Sequence, residues 1–325
     1  MVLLFKERSP AAIIWVLLLT LGLHAHSFFG QPEIVTQHKD GLISFILREY
    51  LAFLQPALVT VIYLLLVLSQ ALRLNYIMND LRMFQHSNFL IAMSYILFAS
   101  LMPAWHTLSA ALVANTFIIW LYSKLLKLYN NQSPRTLLYN IGLITGLTIA
   151  CYHPLVLMIL AVVLTLLIIR PFHLTEFIIL LMGIITPFYF LGVYLFLTDQ
   201  WDVFLKYLPS ARFELPKLLK DYRLYLTGGL LSLGLITGVW VWENNNRRML
   251  IHTRKNWGVL LIILLSLLPI PFVHFKNSVN AVYLWIIPLS AFTANVFLYP
   301  KNRFFPVFFF WLIVLVSVFN NWFYR

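Results

Sequence analysis

Residues 27–50 read SFFGQPEIVTQHKDGLISFILREY, flanked by AAIIWVLLLTLGL over 11–23 and by LAFLQPALVTVIYLLLVLSQAL over 51–72. The stretch gathers Glu33, His38, Lys39, Asp40, Arg48 and Glu49 in a chain of which only 10% is charged. Two long apolar runs with a polar insert between them predict two helices in a membrane and a loop outside it. The side on which that loop lies sets the rest of the arrangement.

Working outward, the same alternation continues along all 325 residues, 61% of them apolar, with 27 Phe, 16 Tyr and 10 Trp. A mean hydropathy of +0.85 is far above that of a soluble domain. Apolar runs of about 18 residues are long enough to cross a hydrocarbon layer of roughly 30 Å as helices. Lipid offers no partner to open backbone, and strict period-2 alternation is missing, so helices and not a barrel are predicted. Lys6 and Arg8 before the first run resemble the start of a secretory signal. No small-x-small site follows a compact apolar core, Ala25-His26-Ser27 being the nearest approach, so this run is read as a retained helix.

The predicted fold is an all-α polytopic membrane bundle forming one domain over 1–325. Its spans are 10–24, 52–72, 89–103, 107–123, 137–152, 155–169, 177–197, 224–242, 258–274, 281–299 and 304–321. Eleven spans put the termini on opposite sides. With the N-terminus cytoplasmic, the inner segments hold more than half of the 23 basic residues, and the short turns around 103–106 and 152–154 hold none. An N-in, C-out orientation in the cell inner membrane follows.

In that frame two long loops face outward, 25–51 and 198–224, and together they hold most of the eleven acidic residues. Each carries an amphipathic stretch. Leu42, Ile46, Tyr50 and Phe53 recur at helical spacing after an Asp40-Gly41 cap signal, and Leu218, Tyr222 and Leu226 do so after Pro209 and Pro216. A membrane-surface helix is predicted in each loop. Within the spans, the word GLITG occurs at 142–146 and again at 234–238; glycines one turn apart suit close helix packing. Pro187, Pro269, Pro271 and Pro288 are expected to kink or break their helices.

Candidate chemistry concentrates in the outer loops. Glu33 and Asp40 are the candidate general bases, since partial desolvation at an interface raises a carboxyl pKa toward the working range. Arg212, Lys217, Lys220 and Arg223, interleaved with aromatics, can receive a lipid-linked phosphate, arginine by a bidentate contact. His24, His26, His38, His106, His153 and His274 fall at outer helix ends, where converging imidazoles could ligate a metal, yet no HxxxH spacing occurs. A metal site is therefore not assigned, and Cys151 alone excludes an internal disulfide. No acid lies deep in a predicted span, which argues against an ion-coupled transporter. Walker, GxSxG, HExxH and dinucleotide fingerprints are missing, and the net charge of +12 follows insertion bias rather than nucleic-acid binding. Arg247, Arg248, Arg254 and Lys255 on the inner side suit anionic headgroups.

Three pieces, LMPAWHTLSAALVANTF, LLYNIGLITGLTIACYHP and IIRPFHLTEFIILLMGIITPFYFLGVYLFLTD, together resemble an uncharacterised family of bacterial polytopic inner-membrane proteins, with the RPF…E…TPF run the most specific part. More distantly, the chain resembles the GT-C-type membrane glycosyltransferases. In those enzymes a first outer loop follows the first helix, a second large one lies between helices seven and eight, and both carry surface helices. That resemblance implies a polyprenyl-phosphate sugar donor, a catalytic acid in the first loop at Asp40 or Glu33, and donor phosphate held by Lys217, Lys220, Arg223 and Arg212. Neither acid belongs to a DD, DE or ED pair, a departure from the pattern. Two other readings are a non-enzymatic scaffold or envelope-assembly component, and a membrane oxygenase with a histidine-bound metal. Membrane lipids are the expected partners, with no nucleic acid; cofactors and protein partners are not indicated.

Overall fold

A computed structural model of the chain describes residues 2–7, 9–29, 34–35, 41–47, 53–129, 133–199, 201, 222–246, 249–272, 278–300 and 304–322. These are nearly all helical. The helices are α1 (Pro10–Leu23), α2 (Leu42–Ile46), α3 (Pro56–Asp80), α4 (Leu90–Ala99), α5 (Ala110–Leu125), α6 (Arg135–Cys151), α7 (Met158–Ile169), α8 (Leu174–Leu197), α9 (Tyr222–Asn246), α10 (Ile251–Leu267), α11 (Ser278–Val282), α12 (Ile286–Leu298) and α13 (Phe304–Trp322). Seven helical segments, those of α3, α5, α8, α9, α10, α12 and α13 with their adjoining 3₁₀ turns, are long and apolar enough to cross a membrane. Helices α1, α4, α6 and α7 are apolar but shorter. A helix therefore stands at each of the eleven sequence-predicted positions, though not each is of spanning length.

Local signals explain the helix ends. Ser9 accepts the Ala12 N–H at 3.2 Å and Pro10 occupies the first helical position, so α1 starts with a side-chain cap and a residue whose missing N–H costs nothing there. Ser109 accepts the Leu112 N–H at 3.3 Å and caps α5 in the same way. Of the four flagged prolines only Pro187 lies inside a helix, in α8. Pro269 and Pro271 follow the end of α10, and Pro288 comes just after the 3₁₀ turn Tyr283–Trp285 that interrupts the helical run from Val279 to Leu298, as expected of a proline that breaks the regular ladder.

Helices α4 and α12 form the centre. Every residue of α4 is buried, and so is every residue of α12 from Ile286 to Phe297. Helix α4 packs against α3, α12, α1 and α13, while α12 also contacts α9 and α10. Ten residues make α4 about 15 Å long, half a hydrocarbon layer, and its chain continues at the same end as an irregular segment. Backbone of that kind is tolerated inside a membrane only where protein satisfies it. Helix α13 does so: Ser317 Oγ donates to the Ser100 carbonyl at 2.8 Å, Asn321 Nδ2 to the same oxygen at 2.8 Å, and Asn320 Nδ2 to the Leu101 carbonyl at 2.9 Å.

Both GLITG words mark close helix crossings. A methyl group on Gly142 would run into the Leu180 carbonyl and reach the Gly183 Cα at 2.9 Å, and one on Gly146 would meet the Ile184 carbonyl, so α6 and α8 touch backbone to backbone. At the second word, a Cβ on Gly238 would lie 2.7 Å from the Phe292 carbonyl carbon of α12. Thr293 Oγ1 donates to the Gly234 carbonyl at 3.3 Å across that contact.

The two ends of the bundle are distinct. At one, Phe89 N–H donates to the Phe5 carbonyl at 2.8 Å, placing the N-terminal segment beside the α3–α4 turn. At the other, Phe29 packs on Trp322 with ring centroids 6.1 Å apart and Tyr222 packs on Phe319 at 6.5 Å. Residues 25–29 of the first long loop and the last residues of the second therefore meet the same final turn of α13. The termini of the described chain lie at opposite ends.

Candidate functional site

The end shared by the two long loops is built around the Ser100–Ser109 turn. Ile34–Val35 (β1) pairs in parallel with Leu108–Ser109 (β2), Ile34 facing Leu108 and Val35 facing Ser109. This two-residue bridge pins the middle of the first loop to the residues that follow His106. A second anchor lies further on. Gly41 adopts φ +134°, and a Cβ there would crowd the Ala150 carbonyl oxygen at 2.8 Å, so only glycine lets the chain pass over the end of α6. Helix α2 then turns Ser44 and Leu47 inward, while Ile46 and Phe53 of the predicted apolar stripe stand 40% and 90% exposed. Leu42, the first residue of that stripe, is half-buried, and Tyr50 lies outside the described residues. The described α2 is only Leu42–Ile46 within the predicted segment, and residues 48–52 lie outside the described set.

Beneath this loop three histidines converge. His24 closes α1, and its Nδ1 donates to the Thr20 carbonyl at 3.0 Å. That bond places the proton on Nδ1 and leaves Nε2 as an acceptor, which is buried without a donor. His26 Nε2 and His106 Nδ1 lie 2.9 Å apart and share one hydrogen bond. The His24 and His106 rings meet edge to face at 4.9 Å, and Tyr63 of α3 packs against both, 5.6 Å from His24 and 5.9 Å from His106. His106 Nε2 and Tyr63 Oη are also buried without partners. Burial holds the His26 imidazole below its ordinary value. Burial first, and then the neighbouring His24 and His26, holds His106 well below. His26 and His106 are thus held toward the neutral form and joined to each other by a single hydrogen bond. Trp322, 6.5 Å from His26, covers one flank.

On the other side of the same turn lies an apolar groove of about 260 Å³. Trp105, adjacent to His106, forms one wall with its indole N–H donating to the Val279 carbonyl at 2.8 Å. Leu224, Thr227, Gly228 and Leu231 of α9 form the opposite wall, and Trp285 and Leu289 of the α11–α12 region close the inner end. Trp285 likewise donates its N–H, to the Leu267 carbonyl at 2.8 Å. With both indoles satisfied by backbone, the lining presents hydrocarbon. Gly228 opens it further, since a Cβ built there meets nothing within 4 Å. Arg223, one position before Leu224 in α9, is half-buried and is not among the residues that line the groove.

Of the sequence-predicted catalytic and phosphate-binding residues, Arg223 is the one within the described set; it is half-buried and lies one position before Leu224 of the groove. Glu33, Asp40, Arg212, Lys217 and Lys220 lie outside the described residues, as do His38 and His274 and the second predicted surface helix before Tyr222. Among the described residues no three His, Cys, Asp or Glu side chains are placed to hold a metal ion. The histidines come together as a hydrogen-bonded, ring-packed group instead. His153 sits elsewhere, buried at the start of the turn between α6 and α7. Glu176, part of the RPF…E run, is in the first turn of α8, which begins before the predicted span. It pairs with Arg170 at 3.2 Å and clamps the α7–α8 turn. Sequence reasoning noticed the outer histidines but missed Tyr63 and the groove. The i, i+2 spacing of His24 and His26 gave no hint that a residue eighty positions on would join them. Set against protein-family profiles, curated proteins and solved structures, the chain finds no match in any of the three.

Proposed function

We propose that this is a membrane protein that handles a lipid-linked substrate at its outer face, in the manner of the GT-C-type glycosyltransferases. In this reading a glycosyl group moves from a polyprenyl-phosphate donor to an envelope acceptor. The observation that supports it is the apolar groove at the end of the bundle where both long loops attach, with one wall beginning at Leu224 of α9. An isoprenoid chain fits a hydrocarbon lining, and its phosphate would then reach the first turn of α9, with Arg223 and the basic residues of 198–224, Arg212, Lys217 and Lys220, as its partners. The acceptor hydroxyl attacks the sugar's anomeric carbon, the bond to phosphate oxygen breaks, and Asp40 or Glu33 takes the proton. The orientation that serves this chemistry is N-in, C-out in the inner membrane.

One observation favours a second reading. No carboxylate lines the groove among the described residues, which suits a scaffold or envelope-assembly protein that holds a lipid without transforming it.

The test is incubation of the purified protein with radiolabelled polyprenyl-phosphate sugars and a panel of envelope acceptors. Label transfer is expected, with loss in Asp40→Asn or Glu33→Gln and in Gly228→Trp, which fills the groove at a position with free space. No transfer from any donor, together with Asp40→Asn and Glu33→Gln each still supporting envelope assembly in cells, would retire the enzymatic reading in favour of the scaffold.

A further inference from the structure

At the end of the bundle opposite the two long loops, three helices meet around a pocket of about 500 Å³. Arg82 lines it from the end of α3, Lys127 and Tyr129 from the end of α5, and His252 and Asn256 from the start of α10. Asn256 is only 4% exposed, yet its side-chain amide makes no hydrogen bond among the described residues, and neither amide atom is closed off. What stays open of this side chain therefore opens into the pocket that it lines. A buried amide without a partner lowers stability, and a ligand that bonds it removes that loss. The two fixed cations are equally uncommitted: neither Arg82 nor Lys127 has a side-chain hydrogen bond or ion pair among the described residues. Asp80 is the acid of the lining and is exposed, so the fixed charges around the pocket sum to a positive value. Lys255 Nζ, 4.6 Å from the centre of the Tyr129 ring, brings a third cation beside the lining.

The backbone adds to this polarity. Helix α10 starts without a side-chain cap, and its earliest internal bond runs from the Arg254 N–H to the Leu250 carbonyl, so the N–H groups before Arg254 are left for another acceptor. Arg82 itself occupies a place where glycine is usual. Its N–H donates to the Asn79 carbonyl at 3.1 Å and the Met83 N–H to the Met78 carbonyl at 3.0 Å, the reverse turn that ends α3, and its φ is +48°, a left-handed backbone that disfavours any side chain. We infer that this pocket binds a phosphate group. The Arg82 guanidinium and the Lys127 ammonium donate to its oxygens, Asn256 Nδ2 donates from the buried wall, and the open start of α10 adds its partial positive charge. Such a group arrives either on a lipid whose chains lie along the bundle or on a soluble ester. The pocket stands apart from the apolar groove at the far end, and its occupation requires no transferase chemistry there.

The test titrates the delipidated full chain in detergent with dioleoyl phosphatidic acid, dioleoyl phosphatidylcholine or glycerol 3-phosphate, read by native mass spectrometry and by the rise in thermal unfolding midpoint. Tighter binding of phosphatidic acid than of phosphatidylcholine, with glycerol 3-phosphate inert, supports a site for a lipid headgroup; binding of glycerol 3-phosphate supports a site for a soluble ester. Arg82→Gly relaxes the turn, and Asn256→Leu removes the unpaired amide with little change of volume and none of charge. Both should fold at least as stably as the parent chain, and each should weaken binding about tenfold, the loss expected for one hydrogen bond to a charged group. Arg135→Gln removes an exposed cation at the start of α6 that is not in the lining and should leave binding nearly unchanged. Phosphatidic acid binding no more tightly than phosphatidylcholine while glycerol 3-phosphate does not bind, undiminished binding in Asn256→Leu, or a loss in Arg135→Gln equal to that in Arg82→Gly would each overturn the inference.

Discussion

His106 shows how much a single side chain can depend on its surroundings. Its Nδ1 is tied to His26 at 2.9 Å, its ring is packed by His24 and Tyr63, and burial keeps it and His26 neutral. Both imidazoles have lowered proton affinity in the fold. The unfolded chain takes up these protons near pH 6.5 and the folded chain only at lower pH, so their contribution to stability is complete above that value and is lost as the pH falls below it. Thermal unfolding in detergent should therefore show a lower midpoint at pH 5.5 than at pH 7.5. His106→Gln should narrow that difference, and an equal or wider difference in the variant would show that the cluster does not carry the effect. The same logic of buried partners governs Asn320. Replacing it with Leu leaves the Leu101 carbonyl without its donor and should cost about 1–3 kcal/mol, measurable as a lowered unfolding midpoint.

At the scale of the element, the helices were legible because each apolar run is bounded by a cap, a proline or a charged turn. Their lengths were less so. Helix α4 reads in sequence as part of a span over 89–103, yet it stops at Ala99 because α13 supplies the hydrogen bonds that let the backbone leave the helix. That exchange joins residues more than two hundred positions apart, and no local pattern encodes it. The β1–β2 bridge was invisible for the same reason: two residues on each side give no periodicity to read. The glycine words, by contrast, could be read as packing faces and sit at real crossings, although the partner helices could not be named from the words themselves. Gly238→Val should destabilise the protein by about 1–3 kcal/mol, the usual range for overpacking, because the Phe292 backbone cannot yield. Gly229→Ala, one residue after the groove's Gly228 and with nothing within 4 Å of its Cβ, should be neutral or gain up to about 1 kcal/mol from helix propensity. If the two variants melt alike, the crossings are looser than the structure places them.

For the whole molecule, the decisive relation is between the two long loops. Trp322 meets Phe29 and Phe319 meets Tyr222, so one turn of α13 receives the start of one loop and the end of the other. The histidine cluster holds His106 and the groove is lined by its neighbour Trp105, so the two share the turn that follows α4. Composition made the membrane setting plain, and loop charges supplied an orientation. The groove could not be read, because its walls come from α9, from the α11–α12 region and from the turn after α4, each of which looks in sequence like ordinary apolar helix or short loop. The central claim is that residues 25–51 and 198–224 open on one face, outside the cytoplasm. Single cysteines placed at Gln37, Ser210 and Asn131 in a Cys151→Ser background test it directly with a membrane-impermeant maleimide on intact cells. Labelling of Gln37→Cys and Ser210→Cys without lysis, and of Asn131→Cys only after it, is the predicted result. Labelling of only one of the first two, or of Asn131→Cys alone, would contradict it.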